Sequence, residues 1–312
     1  MTSSAISIDG LVKTYGKVRA LDGLDLEVPH GSVVGVIGPN GAGKSTTMKT
    51  LVDLARPTAG TVRVLGHEPR TGGPALRRRL GYLPGEFTLD ARVTGRQILR
   101  YFCRLGAPGA VDAIDPLADR LGLDPDRPIR QLSKGNKQKV GLVQAFVHRP
   151  EVLVLDEPTS GLDPLVQREF LALVREAREA GTTVFLSSHV LGEIDEVADS
   201  AAVLRRGRIV FSDSVAGLRE RAGNRLRAVL RGDIGADDLA RALPAASLQV
   251  TASTDGTHEV TGTVPGSVPA AAVLAFLNIH EILDFAFHPR DFEESVLEMY
   301  EDHPTPGTED RS

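Results

Sequence analysis

Three short runs rich in apolar residues stand out along the chain, at 33–37, 152–158 and 182–188. Such runs predict strands that are buried on both faces, as in an open sheet covered by helices. A glycine-rich loop follows the first run, two carboxylates end the second, and His189 follows the third. Because open α/β sheets bind ligands at the carboxyl ends of their strands, these three ends are candidates for a functional site.

Other stretches predict half-exposed strands and amphipathic helices. Near the N-terminus, apolar and polar positions alternate, which predicts antiparallel strands with one solvated face. The spacing of apolar residues predicts helices at 45–55, 133–148 and 165–180. Prolines punctuate residues 74–130, so we predict a largely helical subdomain there. Arg206 and the glycine after it predict a hairpin turn.

The pattern changes after Gly223. The predicted elements are strands at 226–230, 248–251, 258–263 and 282–287, helices at 236–242 and 268–278, and a last helix at 292–300. Their order, βαββαβ followed by a helix, predicts a small α+β domain with a ferredoxin-like fold. The last ten residues are polar and carry two prolines, so we predict that they are disordered.

Composition narrows the classes of protein. Of the 312 residues, 41% are hydrophobic and 25% are charged, as in a globular protein. The net charge of −5 is not the basic footprint of a nucleic-acid binder, so no nucleic-acid partner is expected. The single cysteine, Cys103, excludes an internal disulfide and lies in an apolar run that predicts a buried thiol. No secretory signal or membrane-spanning segment is visible, so we expect another subunit to cross any membrane that the protein serves.

The loop after the first apolar run is the most specific motif. It reads GPNGAGKST from Gly38 to Thr46. Its glycines let backbone N–H groups turn toward a phosphate, and the helix that follows directs its positive end to the same place. Lys44 is expected to reach the β- and γ-phosphates, and the Ser45 hydroxyl to bind Mg²⁺. The alternative is a glycine-rich turn without a ligand, which would not need eight consecutive positions to match.

The second run ends in Asp156 and Glu157. Asp156 is predicted to hold Mg²⁺, directly or through water, and Glu157 to polarise the attacking water. Two unpaired carboxylates after an apolar run would be costly without a cation. His189 ends the next core strand, in the same kind of position.

Two further residues leave alternatives open. Ser133 is predicted to cap a helix, which is either an ordinary capped helix or a second anion site. Tyr15 lies upstream of the glycine-rich loop and either stacks on a purine ring or fills a hairpin. Spacing alone does not decide between these alternatives.

Together, these motifs resemble those of the ATP-binding subunit of an ABC transporter, over about residues 4–220. The glycine-rich loop is similar to the Walker A motif, residues 152–158 to Walker B, and His189 to the switch histidine. SerGlyLeuAsp at 160–163 resembles the D-loop, and LeuSerLysGlyAsn at 132–136 resembles the signature sequence.

The resemblance implies a P-loop α/β domain with an antiparallel β subdomain and a helical subdomain at 4–220, an accessory α+β domain at 224–302 and a tail at 303–312. It also implies ATP and Mg²⁺ as cofactors. The site residues that it implies are Tyr15, Gly38, Pro39, Asn40, Gly41, Ala42, Gly43, Lys44, Ser45 and Thr46 for ATP, Ser45 and Asp156 for Mg²⁺, and Lys44, Glu157 and His189 for catalysis.

The resemblance also implies partners. Two such domains pair head to tail, so that Ser133 and Gly135 of one copy cover the ATP of the other and Asp163 communicates across the dimer. The second domain is another copy or a homologous ATPase subunit. Separate permease subunits would hold the protein at the cytoplasmic face of the membrane. The chain looks most like the ATPases of ABC-2 type bacterial exporters, which implies efflux of drugs, antibiotics or lipids.

Two segments depart from the family's pattern. Lys134 and Asn136 stand where the signature usually has glycine and glutamine. Gly85 stands at the position of the Q-loop glutamine, where it offers no side-chain ligand, and Glu86 is the neighbouring candidate to replace it.

Two alternative functions are a soluble ABC ATPase that acts on a non-transport assembly and an ATP-binding regulatory module with little turnover. For the domain at 224–302, a packing or dimer-stabilising role is favoured over ligand sensing.

Overall fold

The computed structural model describes residues 4–86, 92–232, 234–252 and 256–290. The chain divides into two compact units between Ser212 and Asp213, within the strand Arg208–Ser214, and each unit has its own apolar core. No helix within the described ranges is long and apolar enough to cross a membrane.

The first unit is built on two sheets. Their strands are β1 (Ser4–Tyr15), β2 (Val18–Pro29), β3 (Val33–Ile37), β4 (Ala59–Val64), β5 (Leu80–Leu83), β6 (Val152–Asp156), β7 (Thr183–Ser188), β8 (Ser200–Arg205) and β9 (Arg208–Ser214). One sheet has the order β5-β6-β7-β3-β8-β9, and its pairs from β5 to β8 are parallel. The other is antiparallel, with the order β2-β1-β4. The predicted combination of a parallel core and an antiparallel subdomain is confirmed.

Helices connect these strands. They are α1 (Lys44–Leu51), α2 (Pro69–Arg77), α3 (Gly95–Gly106), α4 (Ile114–Arg120), α5 (Lys134–Phe146), α6 (Pro164–Glu179) and α7 (Leu191–Val197). Local chemistry explains several ends. The Asp163 carboxylate accepts the first free N–H groups of α6, and Gly181 follows that helix at φ 90°. Helix α1 ends before residue 55, where we predicted its end, because Asp53 is left-handed at φ 61°.

The prediction of a largely helical segment at 74–130 is wrong for β5. This four-residue strand forms the edge of the parallel sheet, with Leu80 paired to Val152 and Leu83 to Leu155. A Cβ at Gly81 would overlap the carbonyl oxygen of Ala145 on α5. The strand therefore depends on contacts with distant residues, and its own four residues carry no periodicity that separates it from a helical turn.

The strand predicted at 152–158 is also shorter than expected. Strand β6 ends at Asp156, because Glu157 turns out of the extended conformation with φ 47°. The core strand at 33–37 is confirmed, and the strand predicted at 182–188 begins one residue later, at Thr183.

The second unit is one antiparallel sheet with helices. Its elements are α8 (Val215–Ala222), β10 (Asn224–Arg231), α9 (Ala236–Ala242), β11 (Ser247–Ala252), β12 (Thr257–Val264), α10 (Ala270–Leu277) and β13 (Glu281–Pro289). The sheet order is β11-β12-β10-β13. The predicted βαββαβ order is confirmed, whereas α8 was missed. The helix predicted at 292–300 and the tail lie outside the described residues.

Candidate functional site

The glycine-rich loop joins the buried strand β3 to helix α1 and needs its glycines. Gly41 and Gly43 have φ of 82° and 115°, where other residues are strained. A Cβ at Gly38 would overlap the Leu204 carbonyl oxygen. Lys44, only 6% exposed, donates from Nζ to the Gly38 carbonyl at 2.6 Å. The loop therefore carries a buried cation that backbone oxygens hold in place.

The three predicted catalytic residues converge at the adjoining strand ends. Glu157 places Oε1 3.7 Å from Lys44 Nζ and Oε2 3.6 Å from His189 Nδ1. Asp156, 2% exposed, accepts a hydrogen bond from Ser187 Oγ at 2.8 Å. Residues far apart in the chain thus meet where β3, β6 and β7 end.

Glu157 is held in an uncommon backbone conformation. A left-handed φ of 47° is costly for a residue with a side chain, by roughly 1–3 kcal/mol. Its N–H donates to Ser187 Oγ at 3.0 Å, and its carbonyl accepts from Gln138 Nε2 at 3.2 Å. Our sequence reasoning missed both Ser187 and Gln138, because nothing in their own segments links them to Glu157.

Hydrogen bonds of the preceding residue, Ser188, hold the turn that carries His189. Ser188 Oγ donates to Glu193 Oε2 at 2.7 Å and accepts from the Val190 N–H at 2.9 Å. Glu193 is 6% exposed. The histidine itself is more than half exposed, so its ring is open to a ligand while its backbone is fixed.

Ser133 and Gly135 lie at a different place, next to the turn before α6. Ser133 caps α5 by accepting from the Asn136 N–H at 3.2 Å. A Cβ at Gly135 would lie 2.5 Å from the Gly161 carbonyl oxygen. Within the described ranges, no hydrogen bond or ion pair joins Ser133 or Gly135 to Lys44, Glu157 or His189. The first unit thus brings together Lys44, Asp156, Glu157 and His189. The other predicted residues, Ser133 and Gly135, lie apart from them.

The chain is similar to proteins of a known family. Residues 21–160 match the family model described as ABC transporter. The daunorubicin resistance ATP-binding protein DrrA3 of Streptomyces coeruleorubidus is 43% identical over 244 residues, which cover 76% of this chain and 77% of that protein. The chain belongs to the ABC transporter ATP-binding family. It is the ATP-binding subunit of such a transporter and hydrolyses ATP.

Further relatives of this ABC ATPase extend the comparison. The bacitracin transport ATP-binding protein BcrA of Enterococcus faecalis is 34% identical over 219 residues, or 69% of this chain and 71% of that protein. A solved structure described as the ATP-binding subunit of an ABC transporter superposes with a TM-score of 0.65 at 29% identity, covering 69% of this chain and 92% of that one.

Tyr15 of the ABC ATPase is exposed. It ends β1 at the hairpin with β2, yet 48% of its surface is accessible. Lys13 Nζ lies 4.7 Å from the ring centroid. The ring is therefore open to a ligand, and its stacking on a purine stays a prediction.

The backbone at Gly85 lies close to the Asp156 side chain. A Cβ at Gly85 would lie 3.2 Å from Asp156 Oδ2, so a side chain at this position of the ABC ATPase would require a small shift of the Asp156 carboxylate. Glu86, our candidate replacement, is exposed.

Tyr82 is a further residue that sequence reasoning missed. Tyr82 pairs with Val154 across β5 and β6, which places it on the same face as Asp156. Burial and the nearby charge of Asp156 raise the pKa of Tyr82 to about 12, and its hydroxyl has no partner among the described residues. A neutral hydroxyl group therefore lies on the Asp156 side of the sheet edge.

Proposed function

We propose that this ABC ATPase drives an exporter of drugs or antibiotics. Two relatives that cover at least two thirds of the chain are named for daunorubicin resistance and bacitracin transport. The observation that carries the proposed chemistry is the convergence of Lys44, Glu157 and His189 at the carboxyl ends of the parallel strands.

ATP would bind with its phosphates in the loop from Gly38 to Thr46. The loop glycines leave backbone N–H groups available, the start of α1 adds its dipole, and Lys44 supplies a charge to the β- and γ-phosphates. The exposed ring of Tyr15 would stack on the adenine.

The residues present fit Mg²⁺, which prefers oxygen ligands and retains several waters. Asp156 uses only Oδ1 for Ser187, and the Ser45 side chain belongs to an exposed residue. We therefore assign Ser45 and Asp156 as Mg²⁺ ligands. The ion would neutralise charge on the phosphates.

Glu157 and His189 would act on the terminal phosphate and its attacking water. The carboxylate of Glu157 lies between a buried ammonium and an exposed imidazole, so it can accept a hydrogen bond from a water on the open side. His189 is the group best exposed to donate to the γ-phosphate.

The site would be completed by a second copy or a homologous subunit. Ser133, which is exposed, and Gly135, which is half-buried, lie at the start of α5 and do not reach Lys44 within one unit. In a head-to-tail pair they would cover the partner's ATP, and Asp163 would lie at the contact. Separate permease subunits would hold the dimer at the cytoplasmic face of the membrane and carry the cargo.

We also infer a ferredoxin-like topology for the second unit. Strands β10 and β11 are joined through α9 and separated in the sheet by β12, and strands β12 and β13 are joined through α10 and separated by β10. Two such split βαβ units make up that fold. Its role would be to pack against a partner and stabilise the dimer.

The test is Glu157→Gln. Loss of the carboxylate should lower the rate of Mg²⁺-dependent ATP hydrolysis by about a hundredfold or more, the range of a general base. ATP binding should persist, and ATP should trap a dimer that gel filtration detects. The matched control is Glu179→Gln, an exposed carboxylate on α6. Normal hydrolysis by the Glu157→Gln protein would show that the role given to Glu157 is wrong.

A further inference from the structure

The left-handed backbone of Glu157 must be stabilised by its surroundings. Strained conformations persist only where neighbouring groups fix them. Two buried side chains hold this one, Ser187 from β7 and Gln138 from α5. Ser187 also donates to Asp156, so it belongs to the strand ends of the site. Gln138 belongs to a different element.

Gln138 connects α5 to the turn after β6. Its side chain, in a residue 4% exposed, donates from Nε2 to the Glu157 carbonyl at 3.2 Å and to the Pro158 carbonyl at 3.1 Å. A buried amide that serves two consecutive carbonyls restricts both peptide planes. Removing it would leave the Pro158 carbonyl without this donor in the interior, and the Glu157 carbonyl would keep only the Ser160 N–H at 3.1 Å.

The same helix begins at Ser133. Its first turn is packed against the next part of the chain, since Gly135 lies against Gly161 and Lys134 Nζ donates to Ser160 Oγ at 3.3 Å. Gln138 lies one turn further along α5. A displacement of the start of α5 would therefore be transmitted to Glu157 through a rigid helix and one amide.

We propose that Gln138 is a positioning residue that holds the Glu157 carboxylate between Lys44 and His189 and couples it to the start of α5. The coupling rests on the proposed dimer, in which the start of α5 contacts the ATP of the partner copy. Through Gln138, occupation of that second site then adjusts Glu157 at the first. The two ATP sites are thereby linked within each chain.

The experiment compares Gln138→Leu with Lys139→Met in the full-length protein. Leucine keeps much of the volume and loses the donor. Lys139 is the next residue of α5, is also buried, and bonds to the Gly122 carbonyl away from the site. For both variants, hydrogen exchange of the segment 156–163, kcat, the KM for ATP and the Hill coefficient are measured at a temperature where both are folded.

For Gln138→Leu we expect exchange in 156–163 to become about tenfold faster and kcat to fall about tenfold, the effect of leaving a buried acceptor unsatisfied. The KM for ATP should change less than about twofold, because Lys44 and the phosphate loop are untouched. The Hill coefficient should approach one. Lys139→Met should leave all four quantities near their wild-type values.

Unchanged exchange in 156–163, or equal effects of both variants, would overturn the proposal. A rise in KM that matches the fall in kcat would also overturn it, because general loosening of the fold has that result. Failure of the proposed dimer is distinguishable, since the wild type itself would then have a Hill coefficient of one. The exchange measurement would still decide whether Gln138 holds Glu157.

Discussion

The two units of the chain differ in where their charged side chains lie. Of the four buried charged residues in the described part of the first unit, Lys44, Asp156 and Glu193 lie near the ends of the parallel strands, and Lys139 lies on α5. In the described part of the second unit no charged residue is buried, and its core is apolar. Its charges pair on the surface instead, as Arg227 does with Glu259 and Asp284 at 2.7 Å.

This difference is consistent with the proposal that the chemistry belongs to the first unit. Moving an ion from water into the protein interior costs several kcal/mol of free energy. Exposed ion pairs lose little hydration and contribute little to stability. Buried charges that cluster at the carboxyl ends of parallel strands are therefore expected where they take part in binding or catalysis. The second unit has the charge distribution of a packing module. The next three predictions test this contrast, beginning with the largest effect.

Lys44→Ala should have the largest effect, because it removes the buried cation of the loop. Hydrogen bonds between charged groups contribute roughly 1.5–3 kcal/mol, so ATP affinity should fall about 10- to 100-fold. Titration calorimetry or fluorescent-nucleotide binding measures this loss. Lys49→Ala removes an exposed cation from the same helix and should leave affinity unchanged. Equal affinities of the Lys44→Ala protein and the wild type would remove the basis for assigning binding to the first unit.

His148 is a half-buried polar residue away from the strand ends, and it tests whether such a group makes the free energy of unfolding depend on pH. Its Nε2 donates to the Leu80 carbonyl at 3.0 Å, and burial lowers its pKa from the ordinary value of 6.5. The unfolded chain then binds the proton first as pH falls below about 6.5, so the free energy of unfolding decreases there. His148→Gln keeps a donor and should lose less stability between about pH 7.5 and about pH 5.5.

Calorimetric unfolding at several pH values gives the comparison for His148. The exposed His67, changed to glutamine, is the control and should follow the wild-type pH dependence. A wild-type curve parallel to that of His148→Gln would contradict the assignment.

Arg227→Ala should have the smallest effect. Its ion pairs lie on the exposed face of β10, so the free energy of unfolding should change by less than about 1 kcal/mol and ATP hydrolysis should not change. Leu230 on the opposite face is fully buried, and Leu230→Ala should cost about 2–5 kcal/mol. Chemical denaturation measures both. A larger loss in the free energy of unfolding from Arg227→Ala than from Leu230→Ala would contradict the view that the apolar core, not the surface charges, stabilises the second unit.

Much of the fold could be predicted because its elements have clear local patterns. The strand β3 and the glycine-rich loop are contiguous, so their chemistry is readable without any tertiary contact. The order of elements from β10 to β13 was also readable from alternation and turns. Strand β5 was not, because its four residues become a strand only by pairing with β6. Helix α8 was missed because it is a short helix that contains a glycine.

The sequence alone predicted the groups to which we assign the chemistry: a phosphate loop with Lys44, a carboxylate pair and His189, each next to its own strand. Tertiary structure decided how these groups are held. Gln138 and Ser187 lie 19 and 30 residues from Glu157, and only folding brings them to its backbone. The approach of Gly85 to Asp156 was decided in the same way. Local spacing records which residue types follow one another, whereas contacts between distant segments depend on strand register and packing.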